Sequence, residues 1–409
     1  MMKKVLVIGG GASGLMAAIA AARQGAKVTL LEKNRQTGKK LLVTGNGRCN
    51  FTNRNQVLSF YRSDNLEFVK EALKTFSADQ AVRFFEELGI LVKDVNGYLY
   101  PNSSQAASIA EALRLETQRL QIKTACSITV LSVEKKVGQF YIKTEGWMYT
   151  SDAVILACGS MAAPGTGSTG DGYRFAEKLG HRVIPPLPAL TGLYASQKDC
   201  RKLSGVRMEA KVTLWIDGEA CIEEQGEVQF ASYGLSGIPI FQVSRYASRA
   251  LHKGKTCEIF LDLCPTYGEE KLIELLTKGG ECTGNRTGTD SLLGMFPEKL
   301  SKVLLERSGI SAKKKRMDWT ALDVENLVRQ IKTMRFTVVK CRDFDQAQAC
   351  TGGVPLSELK GISMESAVVP GLYFAGELLD VDGACGGYNL QWAWTSGYLA
   401  GVHSAQTKK

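Results

Sequence analysis

The sequence has no apolar run near the ~20 residues needed to cross a bilayer as a helix, and no CxxC pair among its eleven cysteines. The first absence speaks against an α-helical membrane protein. The second speaks against a zinc site and a disulfide framework, and the scattered thiols fit a reducing cytoplasm. The opening MMKK resembles the basic end of an export signal, but glycines break the apolar stretch behind it, so no signal is expected. Histidine is scarce, with three in 409 residues. His181 follows a helix-stop glycine and His403 lies near the C-terminus; neither they nor His252 are assigned catalysis. Internal repeats and low-complexity segments are absent. What remains is an ordinary globular composition, 44% hydrophobic and 22% charged, with length for two or three domains. The formal charge of +10 admits attraction to a polyanion such as RNA. Only Lys313–Arg316 (KKKR) forms a dense basic run, however, and such a run reads as an exposed helix end or loop.

The first 32 residues carry the most specific signal. Residues 4–9 (KVLVIG) form a short apolar run rich in β-branched residues, as expected of a strand buried on both faces. Gly9, Gly11 and Gly14 follow at GxGxxG spacing, and residues 12–24 read as a small-residue helix stopped by Gly25. A second apolar run, 27–31, ends on Glu32. In such a unit Gly9 makes the tight turn, Gly11 lets backbone approach a pyrophosphate, and Gly14 lets helix and strand pack closely. The pyrophosphate sits on the helix N-terminus, where free N–H groups and the dipole favour negative charge. An acid about 20 residues on accepts hydrogen bonds from an adenosine ribose, the role expected of Glu32. The strand–helix–strand–acid order lifts the motif well above a lone GxGxxG.

Further along, Ser77 to Gln80 spells a capping box opening a helix that ends before Gly89. Asn96-Gly97 reads as a hairpin turn, and 104–120 has helical spacing. Residues 126–157 contain several strands, ending in the buried run 153–157 (AVILA). Three prolines in 185–190 are expected to interrupt any regular element. Strands are expected over 208–217 and 255–263, helices over 268–278, 298–307 and 320–332, and an exposed loop over 279–290. A buried strand returns at 368–376, followed by glycines and a helix from about Leu390 to Gly401. The expected class is α/β: a Rossmann-type dinucleotide domain opened by the N-terminus and completed by the last ~60 residues, interrupted by an insertion. The boundaries expected are 1–190 and 348–409 for that domain, a β-barrel-like part at 191–265 and 334–347, and a helical part at 266–333.

Two late segments favour FAD over NAD as the resident dinucleotide: the strand ending in Cys158-Gly159, and 371–377 (GLYFAGE) running into Asp380, Asp382, Gly386 and Gly387. An extended FAD needs such contacts at the far end of the sheet, where a glycine pair opening a helix aims N–H groups at a flavin that becomes anionic on reduction. The chain resembles the bacterial NAD(P)/FAD-dependent oxidoreductase family of BaiN-type bile-acid reductases and aminoacetone-oxidase-like flavoproteins. The resemblance rests on the fingerprint, 39–53 (KKLLVTGNGRCNFTN), 97–113, 155–173, 234–237 (GLSG) and 352–401 with GLYFAGELLDVDG and GGYNLQWAWTSG.

By position, the resemblance implies pyrophosphate contacts from Gly9, Gly11, Ala12, Ser13 and Gly14, and ribose contacts from Glu32 with Lys33 beside it. Val130 would offer backbone to the adenine edge, and Cys158-Gly159 would line the cofactor. Thr44, Gly45, Gly47, Arg48 and Asn50, with Gly376, Glu377, Asp380, Asp382, Gly387, Asn389 and Leu390, would surround the ribityl chain and ring. The implied chemistry is NADH- or NADPH-driven reduction of an activated C=C, such as an enone of a 3-oxo bile acid or steroid. The alternatives are an amine oxidase acting on an aminoketone with peroxide release, and an FAD protein acting on RNA. A small-molecule substrate is expected, with no metal, membrane or nucleic-acid partner; oligomeric state is open. No second nucleotide unit is expected, so the nicotinamide would dock transiently. Gly165–Gly170, which repeats the GxGxxG spacing without a preceding strand, reads as a loop.

For catalysis, Tyr388 and Tyr233 are candidate proton donors, and Arg48 a candidate to neutralise flavin or substrate charge. Where many relatives in that family carry Phe-Thr-His-x-Gly-Leu-Ser-Gly-Pro, this chain has Phe230-Ala-Ser-Tyr-Gly-Leu-Ser-Gly-Ile238, with Ser232 in place of the histidine. Cys49 lacks the second cysteine that a flavin disulfide reductase needs, and reads as a small half-buried thiol.

Overall fold

The computed structural model describes residues 2–406, apart from the side chains of 279–282. The chain divides into two compact units, Met1–Leu187 with Gln348–Lys409, and Pro188–Ala347.

In the first unit, strand β1 (Lys4–Ile8), helix α1 (Ala12–Arg23) and strand β2 (Lys27–Leu31) follow one another as the pattern predicts. With β3 (Lys123–Ala125), β4 (Ala153–Leu156) and the strand Leu372–Phe374 they build a five-stranded sheet. Its order is Leu372–Phe374, β4, β1, β2, β3, and every pairing in it is parallel. All four residues of β4 are buried, as a strand covered on both faces must be. The strand order reverses between β1 and β4, so their carboxyl ends define the crevice where doubly wound sheets bind ligands. The capping box at Ser77 is formed, and Val95 pairs with Tyr98 across the Asn96-Gly97 turn.

The C-terminal helix, Tyr388–Ala405, is longer than its apolar pattern suggested and lies directly on α1. A Cβ at Gly397 would come within 2.5 Å of the Ser13 carbonyl oxygen, and one at Gly401 within 2.4 Å of that of Ala17. The small residues of α1 and these two glycines let the helices touch backbone to backbone, which ties the two ends of the chain together.

The second unit holds a closed six-stranded antiparallel barrel. Its strands are β5 (Leu193–Ala195), β6 (Arg207–Ile216), β7 (Glu219–Ala231), β8 (Gly234–Gly237), β9 (Cys257–Asp262) and β10 (Met334–Cys341), in the order β5-β8-β7-β6-β9-β10. Helices Glu269–Thr283, Glu298–Arg307 and Ala321–Lys332 fall between β9 and β10.

Three local expectations need correction. The proline segment is a strand, Ile184–Ala189, paired with Ala349–Gly353 in a two-stranded ribbon. An edge strand tolerates proline because its missing N–H can face outward. The expected loop at 279–290 is helical to Thr283, and a short helix Gly288–Ser291 follows. Within the KKKR run Arg316 is buried, with its guanidinium 4.3 Å from the centroid of the Trp319 ring, rather than exposed. Stacking on an aromatic face offsets part of the cost of burying that charge.

Candidate functional site

The turn after β1 is built by glycine. Gly9 sits at φ +105°, and a Cβ there would lie 2.4 Å from the Ala157 carbonyl oxygen at the end of β4. At Gly14 a Cβ would lie 1.8 Å from the Gly9 carbonyl oxygen, so no larger residue fits between helix and turn. Gly11 differs: a Cβ there meets nothing within 4 Å. It caps α1 with no side-chain cap and no acid in the first turn. The first N–H groups of α1, on Ala12, Ser13 and Gly14, therefore have no capping side chain, as an anion site requires.

Glu32 stands buried at the end of β2. Its Oε2 accepts from the Gly10 N–H at 2.7 Å, and its Oε1 from the backbone and side-chain N–H of Asn34, each at 2.7 Å. The carboxylate thus fixes the glycine turn, while Oε2, with one donor, keeps a lone pair for a ribose hydroxyl. Lys33 reaches Asp171 at 2.8 Å and Thr169, and Asn34 reaches the Thr166 carbonyl at 3.0 Å. These contacts tether the glycine loop 165–170, which leads into the helix Asp171–Lys178. Val130 is buried at the start of its strand, next to a register shift. Cys158 donates to the Ile8 carbonyl at 3.5 Å, and burial, reinforced by Asp171, pushes its thiol up to about 12.

Loop 44–50 curls through left-handed backbone at Gly45, Asn46, Gly47 and Cys49. The Cys49 N–H donates to the Thr44 carbonyl at 3.1 Å. The curl delivers Asn50, whose Oδ1 is buried with no hydrogen-bond partner. A Cβ at Gly387, the N-cap of the C-terminal helix, would lie 3.0 Å from that oxygen. A buried acceptor without a donor is costly and fits a ligand N–H. Gly376 closes onto the first cluster, for its Cβ would lie 2.4 Å from the Ser13 hydroxyl.

The acids near Gly376 are already engaged by the chain. Glu377 Oε2 accepts from Lys40 at 2.6 Å and Ser160 at 3.0 Å, and Asp380 Oδ1 from the Gly352 N–H at 2.8 Å. Asp382 is buried, its backbone paired with Arg62. Asn389 closes on Gly383 in both directions, at 2.8 and 2.9 Å, and Leu390 is half-buried. These residues set the shape of the loop that leads into the helix. Nothing in the motif spacing announced Lys40, Ser160 or Ser396, whose hydroxyl accepts from the Gly376 N–H at 2.9 Å.

Of the catalytic candidates, Tyr388 is buried and stacked on Phe60 at 4.8 Å, edge-on to Tyr61 at 5.7 Å. Burial, with Tyr98 nearby, pushes its phenol up to about 12, so it holds its proton across the physiological range. Arg48 is exposed over the Tyr100 ring at 5.5 Å. Tyr233 belongs to the barrel unit. His181 holds an unexpected position: buried, between Glu358 at 2.5 Å and Ser366 at 2.8 Å. Ser366 also accepts the Val368 and Val369 N–H groups, so the row pins a turn.

Cys49 is wholly buried, and that burial pushes its thiol up to about 11. A thiol raised this way stays protonated and unreactive until strongly alkaline pH. Alkylation of the native protein with iodoacetamide at pH 8, followed by peptide mass mapping, should therefore label the exposed Cys221 first and leave Cys49 unmodified. Fast labelling of Cys49 would contradict its inert role.

The open, uncapped α1 terminus, the acid at the end of β2 and the orphaned acceptor at the far end together accommodate FAD. They define a flavin-dependent oxidoreductase of the Rossmann type. The chain belongs to the HI0933-like family: residues 3–403 match the HI0933-like protein Rossmann domain. It is 40% identical over 407 residues to the 3-dehydro-bile acid delta(4,6)-reductase of Clostridium scindens, covering 99% of this chain and 100% of that one. It is 31% identical over 404 residues to the ribosomal RNA dihydrouridine synthase of Haemophilus influenzae, covering 97% of each. In fold it is similar to the 3-ketosteroid delta1-dehydrogenase of Sterolibacterium denitrificans, with a TM-score of 0.50 at 13% identity over 99% of this chain and 100% of that one. Among the described residues no helix is long and apolar enough to cross a membrane, and no three metal-ligating side chains cluster.

Proposed function

We propose that the protein reduces a carbon–carbon double bond conjugated to a carbonyl, such as the enone of a 3-oxo bile acid or steroid, with NADH or NADPH as the electron source. The full-length likeness to the bile-acid reductase carries this reading. Bound FAD supplies two-electron transfer between nicotinamide and substrate. The chain's own groups would do the rest. The N–H groups of Ala12, Ser13 and Gly14 would bind the pyrophosphate, Glu32 the ribose, and Asn50 with the Gly387 end of the C-terminal helix the ring. Saturating an enone also requires a proton on the carbon next to the carbonyl. Tyr388, held by Phe60 and Tyr61 with its proton retained, is the favoured donor. Tyr233 and Arg48 are the other candidates.

The ribosomal RNA dihydrouridine synthase supports a second reading of the same chemistry, since dihydrouridine is uridine with its carbonyl-conjugated C=C saturated. The net charge of +10 is compatible with a polyanionic substrate.

Anaerobic mixing of the FAD-loaded protein with NADH or NADPH tests the proposal. Rapid bleaching of the flavin absorbance, then recovery on adding a 3-oxo-4,6-diene steroid, is the expected result. Bleaching only by an aminoketone would replace the reductase with an amine oxidase. Recovery only on adding uridine-containing ribosomal RNA would select the second reading.

A further inference from the structure

Tyr98 is an exposed aromatic ring set against the glycine turn that opens the C-terminal helix. It begins the strand Tyr98–Pro101, which pairs with Val92–Val95 on one side and Thr52–Asn53 on the other. Asn96 and Gly97, the two turn residues, both have positive φ, at 54° and 88°, the hairpin geometry that fixes strand register. Alternation then sorts the strand. Leu99 and Pro101 point inward and are buried, while Tyr98 and Tyr100 share the outer face, Tyr98 42% exposed and Tyr100 half-buried.

The two tyrosines have different neighbours. The Arg48 guanidinium stands over the Tyr100 ring, which leaves Tyr98 the more open of the pair. Gly386 packs against Tyr98: a Cβ there would lie 2.8 Å from Tyr98 Cε1 and 3.3 Å from Tyr388 Cε2. The absent side chain of Gly386 thus lets an exposed ring and a buried one meet at a single backbone position. Asn53, the cross-strand partner of Tyr98, donates its side-chain N–H to the Gly386 carbonyl at 3.0 Å and ties the glycine turn to the hairpin. Gly387, next in the chain, approaches the orphaned Asn50 oxygen. On the other side of that loop, a Cβ at Gly45 would lie 3.1 Å from the Asn50 nitrogen and 4.0 Å from Tyr100 Cε1.

A lone exposed tyrosine needs no explanation. This one adjoins two groups that already have roles, the buried phenol favoured as proton donor and the turn beside the orphaned acceptor assigned to the flavin ring. All of them lie in the first compact unit, Met1–Leu187 with Gln348–Lys409. A tyrosine ring has only two torsions to fix, so it offers a flat apolar face at low entropic cost. A planar conjugated ligand laid on that face has its plane set by the contact.

We infer that Tyr98 is a substrate-binding residue whose open ring face takes the flat, carbonyl-conjugated ring of the substrate and holds it beside Tyr388. The inference rests on the enone-reductase reading and on the flavin ring lying at Asn50 and Gly387. The test titrates a 3-oxo-4,6-diene steroid into oxidised, FAD-loaded wild type, Tyr98→Ala, Tyr98→Leu and Tyr98→Phe by calorimetry, followed by steady-state kinetics. Tyr98→Ala should weaken steroid binding roughly tenfold and raise KM to match, with FAD affinity and melting temperature unchanged. Tyr98→Phe should stay within about twofold of wild type, because the ring face and not the hydroxyl makes the contact. Tyr98→Leu keeps bulk against Gly386 and should still lose affinity several-fold, which covers an alanine variant that fails to fold. Wild-type affinity in the alanine and leucine variants would overturn the inference, as would an equal loss in Tyr98→Phe. A loss of FAD that matches the loss of steroid would overturn it too, since Tyr98 would then be a wall of the flavin cradle. If wild type neither binds nor reduces the steroid although NAD(P)H bleaches the flavin, the steroid reading itself fails. An oligouridylate then decides the residue: roughly tenfold weaker binding by Tyr98→Ala keeps the stacking role with uracil as the ring, and equal binding ends it.

Discussion

Gly11→Ala should leave the apoprotein folded with an unchanged melting temperature, yet lower its affinity for FAD on the order of a hundredfold. The two halves of that outcome have separate causes. In the protein alone a Cβ at Gly11 meets nothing within 4 Å, and the backbone there is extended, at φ −79° and ψ −167°, so alanine fits without strain. The same methyl group would stand in front of the unpaired N–H groups that open α1. It would hold a pyrophosphate off the distance at which those hydrogen bonds form. Gly14→Ala supplies the contrast, because its Cβ would fall 1.8 Å from the Gly9 carbonyl oxygen. It must lose stability and flavin together. Calorimetric melting of the apoprotein with fluorescence titration of FAD separates the two. If Gly11→Ala binds FAD as tightly as wild type, the pyrophosphate does not sit on α1.

The parts of this protein legible in its sequence are those whose physics is local. β1, α1 and β2 are adjacent in the chain, and Gly9 and Gly14 act on a neighbour a few residues away or on the strand beside them. Glu32 was found by counting along that unit. The meeting of Tyr98 and Tyr388 at Gly386 could not be found in that way. The hairpin and the glycine turn are far apart in the chain, and nothing in either stretch announces that Gly386 fits against both rings. The basic run at Lys313 shows the converse. Four cations in a row looked like one solvated surface, but Arg316 is buried on Trp319, and Lys314 pairs with Asp323 at 2.7 Å. His181 looked idle beside its helix-stop glycine because Glu358 and Ser366, which hold it, lie far down the chain. The proline ribbon at 184–189 misled for a related reason. Proline's cost depends on whether its missing N–H was needed, and that is set by a partner strand at 349–353.

The contact that makes the two chain ends one domain can be broken at a single atom. Intrinsic helix propensity alone predicts that Gly401→Ala stabilises the C-terminal helix by about 1 kcal/mol. Packing predicts the opposite sign. A Cβ at Gly401 would lie 2.4 Å from the Ala17 carbonyl oxygen and 2.7 Å from Ala20 Cβ, so the helices must part by the better part of an ångström. Forced separation of a close-packed contact costs up to about 3 kcal/mol, and this exceeds the propensity gain. Gly401→Ala should therefore destabilise on balance, and Gly401→Leu should do so by roughly 3 kcal/mol or more. At ~2–4 °C per kcal/mol for a unit of this size, the leucine variant should melt on the order of 10 °C lower. Because Gly397, one turn earlier, brings the same helix against Ser13, the displacement would reach the first turn of α1, and FAD retention should fall with stability. Gly11→Ala loses flavin without stability, so the pair of variants separates damage to the cradle from damage to the closure behind it. A Gly401→Leu protein that melts like wild type would mean that the helices do not meet through their backbones, and that the late segment completes the domain by some other contact.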